Sequence, residues 1–304
     1  MQGPLKIPFL KTGDEIRIVA PASAVERSYI ESTFKSLELL DFRPSLGKNV
    51  FSVFNQFAGT DEQRRKDFQQ ALDDVSVKAI FCARGGYGSI RILDSLDFKS
   101  FRKTPKWIVG FSDITLFHLM VNQEFGLPTI HAPMPVNFSN RHFPEHLRHL
   151  KNILQGETQT LAIKGHTLNT EGHCRGKLIG GNLSILYSLQ ATPYELDTRE
   201  KILFIEDVGE QLYHLDRIMQ NFTLSGKLKE LKGLIVGGLT AMKDKKRPFG
   251  KKAEEIVHEY VRGLDIPVVF GFPAGHMENN LPFVLGGEIS LEVSKQFSKL
   301  HFLT

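Results

Sequence analysis

Apolar positions in the first half of the chain follow two alternating spacings. The runs EIRIVAP (15–21), VKAIFCARGG (77–86) and KWIVGFS (106–112) are short, apolar and rich in β-branched residues, and predict buried strands. Between them the spacing turns helical, with Ile30, Phe34, Leu37 and Leu40 falling on one face of 25–42. The stretch 60–74 opens on Thr60 with Gln63 three positions on, a capping-box start. YGSIRILDSL predicts a short helix, and Asp113 to Met120 the first turns of another. Alternation this dense implies a parallel sheet with helices on both faces, flavodoxin- or Rossmann-like in topology. Such sheets bind ligands outside the carboxyl ends of their strands.

From about 136 to 175 the pattern loosens into polar sequence with a single helix near 144–154. Periodicity then resumes: GKLIGGNLSILYSLQ, the strand KILFIED (201–207), a helix through YHLDRIMQNF, the strand LKGLIVGGL and the helix KKAEEIVHEYVRGL. PVVFGFPAGH and two strand-like runs, PFVLGGEISLEV and KLHFL, close the chain. At 304 residues two cores are expected. The expectation is an N-terminal α/β domain over 1–140, a connecting segment over 141–175, and a mixed α/β domain richer in β over 176–304. No internal repeat or low-complexity segment interrupts this plan.

Composition narrows the function. With 41% hydrophobic and 24% charged residues the chain is ordinary globular protein, and a net charge of +4 leaves no nucleic-acid footprint. Its densest basic stretch, KDKKRPFGKK (243–252), carries Asp, Pro and Gly and reads as a solvated turn. Two cysteines far apart, Cys82 and Cys174, match no metal spacing and fit a reducing compartment. The N-terminal stretch shows no secretory apolar region, and no segment approaches the ~20 apolar residues of a membrane span. A soluble, cytoplasmic protein is expected.

Four places could carry chemistry. Ser112 stands at a strand-to-helix junction in GFSD, where it reads either as a helix cap or as a nucleophile exposed beside free helix N–H groups. The hydrolase elbow G-x-S-x-G is matched only in part, since Ile114 stands where its last glycine would be. ARGGYGS (83–89) offers Gly85, Gly86 and Gly88 after a strand, but neither the third glycine of a dinucleotide fingerprint nor the Lys-Ser/Thr of a phosphate loop. A plain tight turn and a backbone N–H offered to an oxyanion both fit it. FIEDVGE (204–210) delivers Glu206 and Asp207 to a strand end, where alternation lets only one face a given cleft, and Glu210 can serve the next helix. His276, one of 11 histidines, lies in a loop after Pro-Ala-Gly. His142, His146 and His149 have helical spacing without the HExxH pattern, so no zinc site is read there.

Taken in order, LKTGDEIRIVAPAS, FAGTDEQR, ARGGYGSIRILDSLD, VGFSDIT, GGNLSIL, FIEDVGEQLYHLDRIMQ and GFPAGH resemble the successive blocks of the LD-carboxypeptidase family, the muramoyltetrapeptide carboxypeptidases, from about residue 9 to about 295. The resemblance implies a serine peptidase with a triad of Ser112, Glu206 and His276, and oxyanion donors in the backbone N–H groups of Asp113 and Gly86. It implies release of the terminal D-alanine from a murein tetrapeptide in peptidoglycan recycling, a homodimer, and no metal or organic cofactor. Arg84 and Tyr87 are candidate substrate contacts, with Arg84 equally readable as a brace for the glycine turn. Two other functions compete. A microcin C-type immunity peptidase would need an aromatic side chain to stack on a purine, and the sole tryptophan, Trp107, falls in a predicted buried strand. A non-catalytic module would hold an anion through RGGYG.

Overall fold

Burial of the apolar runs on both faces turns each of them into a strand. The computed structural model describes residues 5–303; the parts of the N-terminal and domain-boundary expectations that fall on 1–4 and 304 lie outside them. The chain runs β1 (Glu15–Val19), α1 (Arg27–Leu39), β2 (Arg43–Leu46), α2 (Asp61–Asp73), β3 (Val77–Cys82), α3 (Ile90–Leu93), α4 (Lys99–Lys103), β4 (Trp107–Gly110), α5 (Thr115–Glu124), β5 (Thr129–His131) and α6 (Phe143–Leu154). It continues through β6 (Thr160–Lys164), β7 (Gly172–Asn182), α7 (Leu183–Ser188), β8 (Lys201–Val208), α8 (Leu212–Leu224), β9 (Gly233–Thr240), α9 (Ala253–Val261) and β10 (Val268–Val269). Three strands finish it: β11 (Phe283–Leu285), β12 (Glu288–Val293) and β13 (Phe297–Leu303).

Two compact units result, one of residues up to Glu157 with Leu281–Val284, the other of Thr158–Asn280 with Leu285 onward. Residues 141–175, expected as a connector, hold α6 in the first unit and β6 and the start of β7 in the second.

The first unit is built on a sheet ordered β11-β5-β4-β3-β1-β2, in which β2, β1, β3, β4 and β5 are parallel neighbours. This is the flavodoxin-like order, and its switch point lies between β1 and β3. Helix α2 starts as its sequence predicts: Gln63 N donates to Thr60 Oγ1 at 3.3 Å and Thr60 N donates to Gln63 Oε1 at 2.9 Å. It buries Phe68, Ala71 and Leu72, and Phe68 stacks on Phe117 of α5 with ring centroids 4.2 Å apart. Burying one such ring stabilises by about 1.5–3 kcal/mol. Trp107 is buried in β4, as the apolar run requires, and its Nε1–H donates to Pro8 O at 3.1 Å.

The second unit carries a seven-stranded mixed sheet, β10-β9-β8-β7-β12-β13-β6. Strands β10, β9, β8 and β7 are parallel, while β12, β13 and β6 continue antiparallel. In β8 residues Ile202–Asp207 are all buried, the signature of a strand covered on both faces. The antiparallel strands alternate buried with more exposed residues, showing one face to solvent. No helix among the described residues is long and apolar enough to cross a membrane.

Candidate active site

In the first unit the chemistry gathers at the carboxyl ends of β1, β3 and β4. After β4 the chain turns through a 3-10 turn, Ser112–Ile114, into α5. Ser112 sits at φ 64°, a left-handed conformation that costs a non-glycine residue on the order of 1–3 kcal/mol and persists where surrounding structure enforces it. The helix-cap reading of Ser112 does not hold. Phe111 caps the 3-10 turn and Ile114 caps α5, neither through a side chain. Ser112 instead occupies a strained corner between strand and helix.

Gly85 lies directly against this corner. A Cβ on it would stand 2.9 Å from Ser112 Cβ, 3.0 Å from Oγ and 3.2 Å from Asp113 N, so only glycine lets the β3 loop approach. Gly86, at φ 94°, is exposed, and a Cβ there would come within 2.3 Å of Ser23 Oγ. Its N–H makes no hydrogen bond to another described residue. Asp113, second in its 3-10 turn, likewise has an N–H with no acceptor within the turn. Two backbone donors thus lie on the loops around Ser112, as an oxyanion site requires. The Asp113 carboxylate points away, its Oδ2 accepting from Ser89 N at 2.8 Å, and burial raises its pKa.

Loops across the switch point are tied together. Ser23 N donates to Gly85 O at 3.1 Å, Tyr87 N donates to Ser23 Oγ at 3.3 Å, and Arg84 Nη1 donates to Ala24 O at 2.7 Å. Arg84 is exposed and braces the two loops, while Tyr87 is half-exposed with its ring 6.0 Å from that of Phe57. Sequence reasoning passed over Ser23; its position just after β1, the first strand of a doubly wound sheet, was the available signal.

In the second unit the imidazole and a carboxylate come together. Glu206, fully buried on β8, holds His276 twice through Oε2: the ring Nδ1 is 2.7 Å away and the His276 main-chain N–H donates at 3.1 Å. A carboxylate can only accept, so Nδ1 carries the proton, and in the neutral ring Nε2 is then the acceptor. The His276 pKa is raised overall. Burial, the largest single influence, pushes it down, but the hydrogen bond and charge of Glu206 with the charge of Asp207 together push it further up. Gly275, at φ 109°, makes room: a Cβ there would lie 2.6 Å from Glu206 Cβ and Oε2. Gly275 N donates to Asn280 Oδ1 at 2.9 Å, and Thr240 Oγ1 donates to His276 O at 2.6 Å, fixing the loop on both sides.

Strand alternation settles the two acids. The register of β8 against β9 shifts between Ile205 and Asp207, a local irregularity of the kind that re-aims side chains beside sites. Glu206 turns to His276, and Asp207 turns to the start of α7. There it accepts from Asn182 Nδ2 at 3.0 Å, Ser184 Oγ at 2.7 Å and Ser184 N at 2.9 Å. Asn182 itself caps α7 through Ile185 N. The GGN block carried that network, which sequence reasoning did not resolve. Glu210 pairs with His214 one turn into α8, whose N-cap is Gln211.

Other candidates serve elsewhere. Cys82 is buried, and burial pushes its thiol far above the usual range. The Cys174 thiol is pushed up to about 11, again chiefly by burial, so neither is a thiolate nucleophile at neutral pH. The rings of His142 and His146 stack 5.8 Å apart near the start of α6. Among the described residues no group of three His, Cys, Asp or Glu side chains is placed to hold a metal ion.

Comparison with known proteins identifies the family. The LD-carboxypeptidase N-terminal domain matches residues 16–132 and the LD-carboxypeptidase C-terminal domain residues 175–291. A probable murein peptide carboxypeptidase of Bacillus subtilis is 33% identical over 292 residues, covering 94% of this chain and 91% of its own. The crystal structure of muramoyltetrapeptide carboxypeptidase from Oxalobacter formigenes superposes with a TM-score of 0.86 at 27% identity, covering 95% of this chain and 99% of that one. MccF in complex with glutamyl sulfamoyl guanosine shares the fold, with a TM-score of 0.85 at 21% identity over 98% of both chains. By domain content, sequence and fold, the chain belongs to the LD-carboxypeptidase family and is a carboxypeptidase.

Proposed function

We propose that this carboxypeptidase is a serine-type LD-carboxypeptidase that releases the terminal D-alanine of a murein tetrapeptide, working in the cytoplasm as a homodimer in peptidoglycan recycling. Ser112 attacks the amide carbonyl, His276 Nε2 takes the hydroxyl proton and returns it to the leaving amine, and Glu206 holds the ring in the required tautomer. The N–H groups of Asp113 and Gly86 receive the oxyanion, and Arg84 and Tyr87 meet the substrate beside them. Water then attacks the acyl-enzyme with the same base assisting, which restores the free serine. The observation that carries this reading is the Glu206–His276 pair, held at 2.7 Å through Nδ1. Murein peptides enter through the relative in Bacillus subtilis and the Oxalobacter structure, whose names state such substrates.

The test is to incubate the protein with a murein tetrapeptide and, separately, with an aminoacyl sulfamoyl adenosine, and to follow products by mass spectrometry. Release of D-alanine from the tetrapeptide with the adenosine conjugate left intact is expected. Cleavage of the conjugate alone would transfer the triad to a microcin-type substrate. Hydrolysis of neither would leave an anion-binding module.

A further inference from the structure

Arg64 is buried to 1% exposure on α2, yet it is the side chain on which the loops of the switch point converge. Its Nη1 donates both to Pro21 O at 2.7 Å, in the loop after β1, and to Gly88 O at 2.9 Å, in the glycine turn after β3. The guanidinium is neutralised by Asp61 at the start of the same helix, and Asp61 is held in turn by Arg91 just beyond the glycine turn. Gly88 is shaped to this contact: at φ 141°, a Cβ on it would stand 2.5 Å from Arg64 Nη1. Burying a guanidinium is costly; here Nη1 and Nη2 are partnered while Nε is not, and the charge is placed where a single nitrogen grips two strands' loops.

We propose that Arg64 is a positioning residue for catalysis, setting the Gly86 N–H for the oxyanion by clamping Gly88 O to Pro21 O. The inference rests on the carboxypeptidase reading above. The turn is fixed on either side of Gly86: Ser23 N holds Gly85 O, Ser23 Oγ accepts from Tyr87 N, Arg64 holds Gly88 O, and the Asp113 carboxylate holds Ser89 N. Asp113 follows the nucleophile, so the same set of bonds ties the glycine turn to the Ser112 corner. Of these supports only Arg64 spans from the turn to the loop after β1 while standing on a third element. Lysine keeps the charge but offers one nitrogen from a shorter reach and loses the planar fork that also meets Asp61.

The experiment compares wild type, Arg64→Met and Arg64→Lys in two ways. The first is kcat and KM on a murein tetrapeptide, with inhibition by a boronic-acid peptide that forms a tetrahedral adduct. The second, independent of activity, is the amide ¹⁵N–¹H resonances of Gly86 and Gly88. Arg64→Met is expected to lower kcat about 10- to 100-fold with KM within about threefold, since a misplaced oxyanion donor acts on the transition state alone. Boronate affinity should fall in parallel, both glycine resonances should move, and Arg64→Lys should recover part of each loss. Unmoved resonances, or a loss of activity borne by KM with boronate affinity unchanged, would overturn the proposal. A wild type inert toward the tetrapeptide would overturn the functional reading instead, and the glycine resonances would still decide whether Arg64 sets the turn.

Discussion

Replacing Glu206 by glutamine probes the base at a single atom pair. The carboxylate is fully buried, and its Oε2 serves the His276 ring at 2.7 Å and the His276 main-chain N–H at 3.1 Å. In Glu206→Gln an amide oxygen at the Oε2 position keeps both bonds, with the NH₂ group at the Oε1 position, so the tautomer is preserved. What is lost is the charge that, in the proposed mechanism, stabilises the imidazolium formed when His276 takes the serine proton. A hydrogen bond to a charged partner is worth about 1.5–3 kcal/mol, so kcat should fall about 10- to 100-fold. The pH profile adds a second reading of the same bond. In the proposed mechanism the neutral ring is the base, and since its folded pKa is raised, the acid limb of kcat/KM in wild type should have its midpoint above the ordinary imidazole value of about 6.5. Stability follows the same linkage with the opposite sense: the pair's contribution is full below the unfolded pKa and is lost as pH rises through the raised one. In Glu206→Gln, burial outweighs what remains of the upward influences, and the His276 titration followed by NMR should shift down. The assay is D-alanine release from a murein tetrapeptide, alongside that titration. A variant keeping more than a tenth of wild-type kcat/KM, or an unmoved His276 titration, would refute the reasoning.

Two glycines give further tests. Gly85→Ala drives a methyl to 2.9 Å from Ser112 Cβ and 3.2 Å from Asp113 N, and should lower kcat/KM about 100-fold while costing about 1–3 kcal/mol in urea unfolding; retention of half the wild-type kcat/KM would contradict the close approach. Gly275→Ala combines φ 109° with contacts of 2.6 Å to the buried Glu206, and should cost at least about 2 kcal/mol in urea unfolding; a loss under about 0.5 kcal/mol would show that the loop relaxes freely.

What the sequence disclosed and what it hid divide along physical lines. Strands β1, β3, β4, β8 and β9 were legible because burial on both faces makes them continuous apolar runs. Strand β2 was not: RPSL holds a proline and two polar residues, tolerable because β2 is the sheet's edge. Strand β6 hid for the same reason, a short edge strand inside polar sequence taken for a connector. The return of Leu281–Val284 to the first unit is a property of topology and leaves no local pattern to find. Ser112 was visible as a serine at a strand-to-helix junction, but its positive φ was not, since nothing in GFSD other than the placement demands it. Alternation required Glu206 and Asp207 to part company without telling which would meet an imidazole; the β8 irregularity and the Asn182–Ser184 pair settle that. Arg64 drew no reading from the sequence, and only three-dimensional placement reveals that it grips two loops.

The most direct test treats the protein with a serine-directed peptidyl phosphonate and maps the adduct by mass spectrometry, in wild type and in Ser112→Ala. One phosphonyl group on the peptide containing Ser112, none on the variant, and loss of D-alanine release in both the labelled protein and the variant are expected. Labelling at a different residue, or a Ser112→Ala protein that still frees D-alanine at the wild-type rate, would contradict the account.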